Sequence, residues 1–385
     1  MKSSRLAATC AAATLVFAGS TLSDSLFSGS LVARAMPAQA QPREIAFESA
    51  GDFLNLPADT YFGEVAGVAT TSTGNIWVYT QSGGPNATVG ASRVYINGGP
   101  RLFEFDKAGK FLREIGTKDD SRPYNFLFAQ GVRIDPQNNI WVVDRASRMV
   151  VKFDQSGRVL LTLGRRPEAI GEIGSSAGSG VYGRGSGPPG SGVPGDNFNQ
   201  PTDVAWDAAG NIFVADGYVN SRIAKYDKYG KFIKQVGSRG SGPGQFNLLH
   251  AIAVDAQGNV YGGSRSDQRI VVFDNDLNYK TTFDHVGAPW SLCITPGPGH
   301  QYLYTSNSNP DNQDTELHKA SGQIFKMELD GTVLGKFGVP GKEQGQFSTV
   351  HGIDCRVPNE ILTTEIVEWR LQKFILHPTA AQGGK

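Results

Sequence analysis

Cysteine is scarce in this chain. Cys10, Cys293 and Cys355 are the three in 385 residues, too few for a disulfide framework, so the fold must stand on its apolar core. An excess of either charge is also missing. The 36 basic side chains are matched by 36 acidic ones, which leaves no basic stripe for nucleic acid and no polybasic patch for an anionic membrane. A long apolar run is missing too: Leu6 to Gly19 is apolar and small but falls short of the roughly 20 residues that span a bilayer. Neither a helical period nor a phosphate-binding glycine loop is present, which removes helical bundles and nucleotide-binding α/β folds.

The first residues read as a presequence over 1–40. Lys2 and Arg5 precede the apolar stretch, and "AQA" at 38 to 40 offers a small-residue cleavage site, so an exported protein, periplasmic or secreted, is expected. Removing Lys2, Arg5, Arg34 and Asp24 leaves the chain near neutral, about two charges to the acidic side. Cys293 and Cys355 remain, and in an oxidising compartment they can pair.

What is abundant is repetition. "GNIWV" (74 to 78), "NNIWV" (138 to 142), "GNIFV" (210 to 214) and "GNVYG" (258 to 262) each follow a short apolar strand, the pattern of a tight turn into a second strand. A second phrase also recurs: "FDKAGKFLREIG" (105 to 116), "FDQSGRVLLTLG" (153 to 164), "YDKYGKFIKQVG" (226 to 237) and "MELDGTVLGKFG" (327 to 338) read as strand, turn, strand. Four strands per unit, and a clean unit of 48 residues from Phe198 to Phe246, match propeller blades. Units at 62–116, 125–164, 198–237, 246–287, 289–338 and 347–376 predict an all-β, six-bladed β-propeller over 41–385. The last unit has three strands, and Arg43 to Ser49 is expected to supply its fourth and close the ring.

Propeller geometry places a site. The start of the innermost strand and the end of the second strand share one face, so Ala66, Gln130, Thr202, His250, Trp290 and His351 are expected to ring one mouth of the channel. Gln81, Arg145, Tyr218, Arg265, Asn307 and Glu365 form the next shell. The long segments 80 to 100 and 305 to 323, and the Gly-rich insertion 171–195, open on the same face, where binding usually concentrates. The second shell has one irregularity: ten residues separate Asp144 from Asp154 and Ser264 from Asp274, but eleven separate Asp216 from Asp227, with Tyr218 in the lengthened turn. His250, His351 and Gln130 come from alternate blades and can converge on the axis, where neutral imidazoles suit zinc or another divalent transition metal. Equally, two histidines can fill the mouth and bond to water.

The stretch "FNQPTDVAWDAAGNIFVADGYVNSRIAKYDKYGKFIKQVG" with "GPGQFNLLHAIAVDAQGNVYGGSRSDQRIVVFD" resembles the lyase domain of the peptidylglycine α-amidating enzymes, which are NHL-repeat propellers. The resemblance implies zinc on three histidines, a tyrosine base and substrate-binding arginines. His250 and His351 would be two zinc ligands, Tyr218 the base and Arg265 its activating partner. The reaction it implies splits the N–Cα bond of a C-terminal α-hydroxyglycine. A free phenol has a pKa of about 10, so such a base needs a cation beside it. The family's first zinc histidine falls on Gln130, a substrate arginine on Gln81, and the acidic residue after the last histidine on Gly352. Two functions therefore stand: a metal-assisted lyase, or a related metal-dependent hydrolase, for a small or peptide substrate, and a non-catalytic propeller that binds a peptide, sugar or protein on its loop-rich face. Both are expected to be monomeric.

Overall fold

The computed structural model describes residues 42–82, 87–88, 94–95, 99–115, 126–165, 197–308 and 321–377. The presequence 1–40, the Gly-rich run 171–195 and most of the long connections within 80–100 and 305–323 lie outside the described residues.

The described chain is all β, in six four-stranded antiparallel blades. Their innermost strands are Glu64–Thr70, Ala129–Ile134, Asp203–Trp206, Leu249–Val254, Pro289–Ile294 and Val350–Asp354. Each touches the innermost strand of the next blade, and the sixth touches the first, so the ring is closed. Blade 6 takes three strands from the C-terminal part of the chain and its outermost strand, Ala46–Ala50, from the N-terminal part, paired antiparallel with Arg370–His377. This is the closure that the three-stranded last unit requires.

Local chemistry accounts for the blades. The turn from first to second strand reverses on a residue with positive φ, Gly74, Gly210 or Gly258, with Asn138 (φ 61) doing the same in blade 2. Asparagine tolerates this region better than other side chains, which is why "NNIWV" substitutes for "GNIWV". An aspartate closes the turn from its other side: the Asp135 carboxylate accepts from the backbone N–H of Gln137 and Asn139, and that of Asp207 from Ala209 and Asn211. Between the turns, side chains alternate, and the buried sets form six apolar clusters, each shared by two adjacent blades. Each fully buried Phe, Leu, Ile or Val contributes about 1.5–3 kcal/mol, so the blade-to-blade contacts dominate stability. A disulfide between Cys293 and Cys355 joins blades 5 and 6 at the far ends of their innermost strands.

Candidate functional site

At the mouth formed by the starts of the innermost strands, Ala66, Gln130, Thr202, His250, Trp290 and His351 line one small cavity of about 20 Å³, room for roughly a single water. Gln130, His250 and His351 are all buried. Each histidine is anchored from behind: Nδ1 of His250 donates to the Trp290 carbonyl (2.6 Å) and Nδ1 of His351 to the Ala66 carbonyl (2.7 Å). A carbonyl only accepts, so both imidazoles carry their proton on Nδ1 and turn a bare Nε2 lone pair to the axis. The carboxamide nitrogen of Gln130 lies 3.3 Å from Nε2 of His250 and 3.4 Å from Nε2 of His351. The two rings meet edge to face with centroids 4.9 Å apart.

The lengthened turn of blade 3 serves this centre. Backbone N–H groups of Arg145 and Arg265 bond to the carbonyls of Phe128 and Leu248, and that of Tyr218 bonds to the carbonyl of Gln200. Tyr218 is therefore the structural counterpart of the two arginines, and the inserted residue is Gly217, one position before it. A side chain at 217 would collide with the Leu249 carbonyl, so glycine is required there. The tyrosine ring packs edge to face on His250 at 5.9 Å. The guanidinium stacked on it, at 3.9 Å, belongs to Arg145, whose Nε donates to the Gln200 side chain at 3.1 Å. Arg265 instead stacks on Trp290 of the following blade, at 3.7 Å. The second-strand ends of blades 2, 3 and 4 thus lean on the next blade. The resemblance pairs Tyr218 with Arg265, and the ring also brings Arg145 over the face of the tyrosine. Gln200, in the left-handed region (φ 63), is a further contributor that the sequence reading did not single out.

Beneath the histidines the channel is partitioned. Arg133 of blade 2 forms a two-pronged ion pair with Asp203 of blade 3 (2.9 and 2.6 Å) and donates to the carbonyls of Leu292 (3.1 Å) and Ile353 (3.4 Å) in blades 5 and 6. The Asp203 carboxylate also accepts from the Ile252 N–H of blade 4. Past Arg133 the opposite mouth widens into a cavity of about 790 Å³, walled by Ile134, Val204, Trp206 and Ile294. The sequence concentrates long loops on the histidine face, yet among the described residues the larger cavity lies on the other.

Burial is the main influence on the histidines. It holds His250 well below its usual range, helped by His351 and by the Arg265 and Arg145 guanidinium groups. It lowers His351 to about 4, against the bond to the Ala66 carbonyl. Both are neutral at pH 7. The unfolded chain takes up these protons near pH 6.5 and the folded chain does not, so stability is complete above pH 6.5 and declines as pH falls toward 4. For His351 the loss is about 3 kcal/mol. Urea unfolding at pH 7 and pH 4.5 checks it, with a smaller pH difference expected in His351→Gln.

The resemblance implies zinc here. Two donors fit: both imidazoles are neutral, oriented by carbonyls and convergent through Nε2. The third does not, because the group of Gln130 facing both lone pairs is its NH₂, which has no lone pair to offer a metal. Among the described residues, no group of three or more His, Cys, Asp or Glu is arranged to hold an ion. The set as folded does not fit a resident metal. No helix among the described residues is long and apolar enough to cross a membrane.

Comparison with known proteins agrees with the propeller fold. Residues 198–334 match a family, DUF5128, described as a 6-bladed beta-propeller. The chain is 36% identical over 218 residues to the peptidylglycine alpha-amidating monooxygenase of Rattus norvegicus, a match covering 52% of this chain and 20% of that protein. It is 26% identical over 287 residues to a probable peptidyl-alpha-hydroxyglycine alpha-amidating lyase of Caenorhabditis elegans, covering 69% of this chain and 73% of the relative. It is 25% identical over 248 residues to NHL repeat-containing protein 3 of Mus musculus, covering 61% and 63%. The chain spans about a fifth of the length of the rat relative. It is a six-bladed propeller homologous to amidating lyases and NHL-repeat proteins.

Proposed function

We propose that the histidine face is the active centre of a carbon–nitrogen lyase acting on a small hydroxylated substrate that carries a carboxylate. The observation that carries the reading is the placement of Tyr218 against His250 with the guanidinium groups of Arg145 and Arg265 stacked at the same mouth. Two fixed cations at a partly water-excluded mouth select a carboxylate and hold the carbon beside it. Tyr218 carries the hydroxyl that can relay a proton from the substrate hydroxyl to the departing nitrogen. As the O–H proton leaves, the C=O bond forms and the C–N bond breaks. The nitrogen takes the proton, giving an amide and an α-oxo acid with no oxidant consumed. The name of the probable amidating-lyase relative from Caenorhabditis elegans supports the reaction type. The Cys293–Cys355 bridge supports a working place outside the reducing cytosol.

α-Hydroxyhippurate tests the reading, with release of glyoxylate and benzamide as the signal. Tyr218→Phe should cut turnover by roughly a hundredfold, the scale of one positioned acid or base, while leaving Tm within about a degree, because a part-exposed hydroxyl contributes little stability. Arg145→Ala and Arg265→Ala should raise KM. No turnover by the parent protein, together with retained calorimetric binding of the same compound, would assign the face to a non-catalytic binding propeller. The similarity to an NHL-repeat protein keeps that second reading in view.

A further inference from the structure

We infer that the Gln130 carboxamide takes the place of a metal ion at the centre of the ring, so that His250 and His351 form a hydrogen-bonded, metal-free acceptor pair. Three geometric facts combine. The Trp290 and Ala66 carbonyls fix the Nδ1–H tautomer in both imidazoles. That leaves two lone pairs aimed at one point from blades 4 and 6, and the carboxamide nitrogen of blade 2 stands at that point, within hydrogen-bond distance of both. An NH₂ group has two protons, one for each lone pair, so every polar valence of the pair is satisfied without an ion.

A transition ion would have to break both bonds and turn the carboxamide to present its oxygen, a weak neutral ligand, to complete a three-donor set. Replacing the carboxamide by a third imidazole from blade 2 removes the two N–H donors and supplies the missing lone pair. The histidines are therefore already built as metal ligands in orientation and tautomer, and one side chain decides that they serve as hydrogen-bond acceptors instead. The inference does not depend on turnover at this face.

Zinc content measured after incubation with zinc sulfate and gel filtration tests it, with cobalt(II) as a spectroscopic probe. The parent chain should emerge without zinc, show no tetrahedral cobalt spectrum and keep its Tm in EDTA. Gln130→His should retain one zinc per chain, give the tetrahedral cobalt bands and lose Tm in EDTA. Nitrogen-15 spectra of the parent at neutral pH should show both imidazoles protonated on Nδ1 and bare on Nε2. Should Gln130→His not fold, the parent's cobalt spectrum and imidazole tautomers decide alone. Stoichiometric zinc in the parent, or an Nε2–H tautomer at either histidine, overturns the inference.

Discussion

Arg133→Ala is expected to lower the stability of the propeller by about 4 kcal/mol, the scale of removing one partner from a buried ion pair. The guanidinium is held by Asp203 and by the carbonyls of Leu292 and Ile353, so one side chain ties blade 2 to blades 3, 5 and 6. Alanine leaves the Asp203 carboxylate buried with two backbone N–H donors, of Val204 and Ile252, but no counter-charge. It also strips both carbonyls of their donor, and a buried acceptor without a partner is costly. Pairing Arg133→Met with Asp203→Asn should restore part of the loss, because the neutral amide keeps an oxygen facing the Ile252 N–H. Equilibrium urea unfolding of the two variants checks both statements. A loss below about 1 kcal/mol for Arg133→Ala would mean that water fills the place of the guanidinium without penalty.

Reduction of the Cys293–Cys355 bridge is the second large effect. The cysteines are 62 residues apart in sequence, and a loop of that size, released in the unfolded chain, corresponds to about 4 kcal/mol of lost stability on chain-entropy grounds. Calorimetric melting with and without a reductant should show a lower Tm in its presence, and Cys355→Ala should melt at the lower temperature in both conditions. Equal melting of the parent in both conditions would contradict the expectation. The two effects should not simply add. Cys293 adjoins Leu292 and Cys355 lies two residues past Ile353, the residues whose carbonyls Arg133 holds, so the bridge and the ion pair brace the same corner of the ring.

The blades were legible because their information is local. A turn aspartate, a glycine with positive φ and an alternating strand all sit within a dozen residues, and counting such units also gives the order around the ring. Gln130, His250 and His351 were legible for the same reason, since equivalent strand starts in alternate blades must face one another. Contacts that depend on how one blade leans over the next were not. Arg145 over Tyr218 is such a case, and so is the identity of the inserted residue: spacing finds one extra position near Asp216, but only the approach of the Leu249 carbonyl shows that Gly217 is the position that must lack a side chain. Arg133 was missed although a signal existed. The corresponding positions of blades 1, 3, 4 and 5 carry Ala69, Ala205, Ala253 and Cys293, so a long cation there needs an acid nearby. Blade 6 carries Asp354 at the position of Arg133, and Asp203 stands where the other blades have Gly67, Gly131, Ala251, Ser291 and Gly352, so opposite charges in two columns of mostly small residues are a readable set.

The partition at Arg133 also gives the molecule two separate hollows. Arg133 lines both the small cavity at the histidines and the wide cavity of the opposite mouth, so the ring is two cups set back to back. The small cup is closed beneath by the arginine and its bonds to Asp203, Leu292 and Ile353. The wide cup lies on the other side of that arginine. Its walls can change without disturbing the histidines, so long as the arginine between them keeps its four bonds.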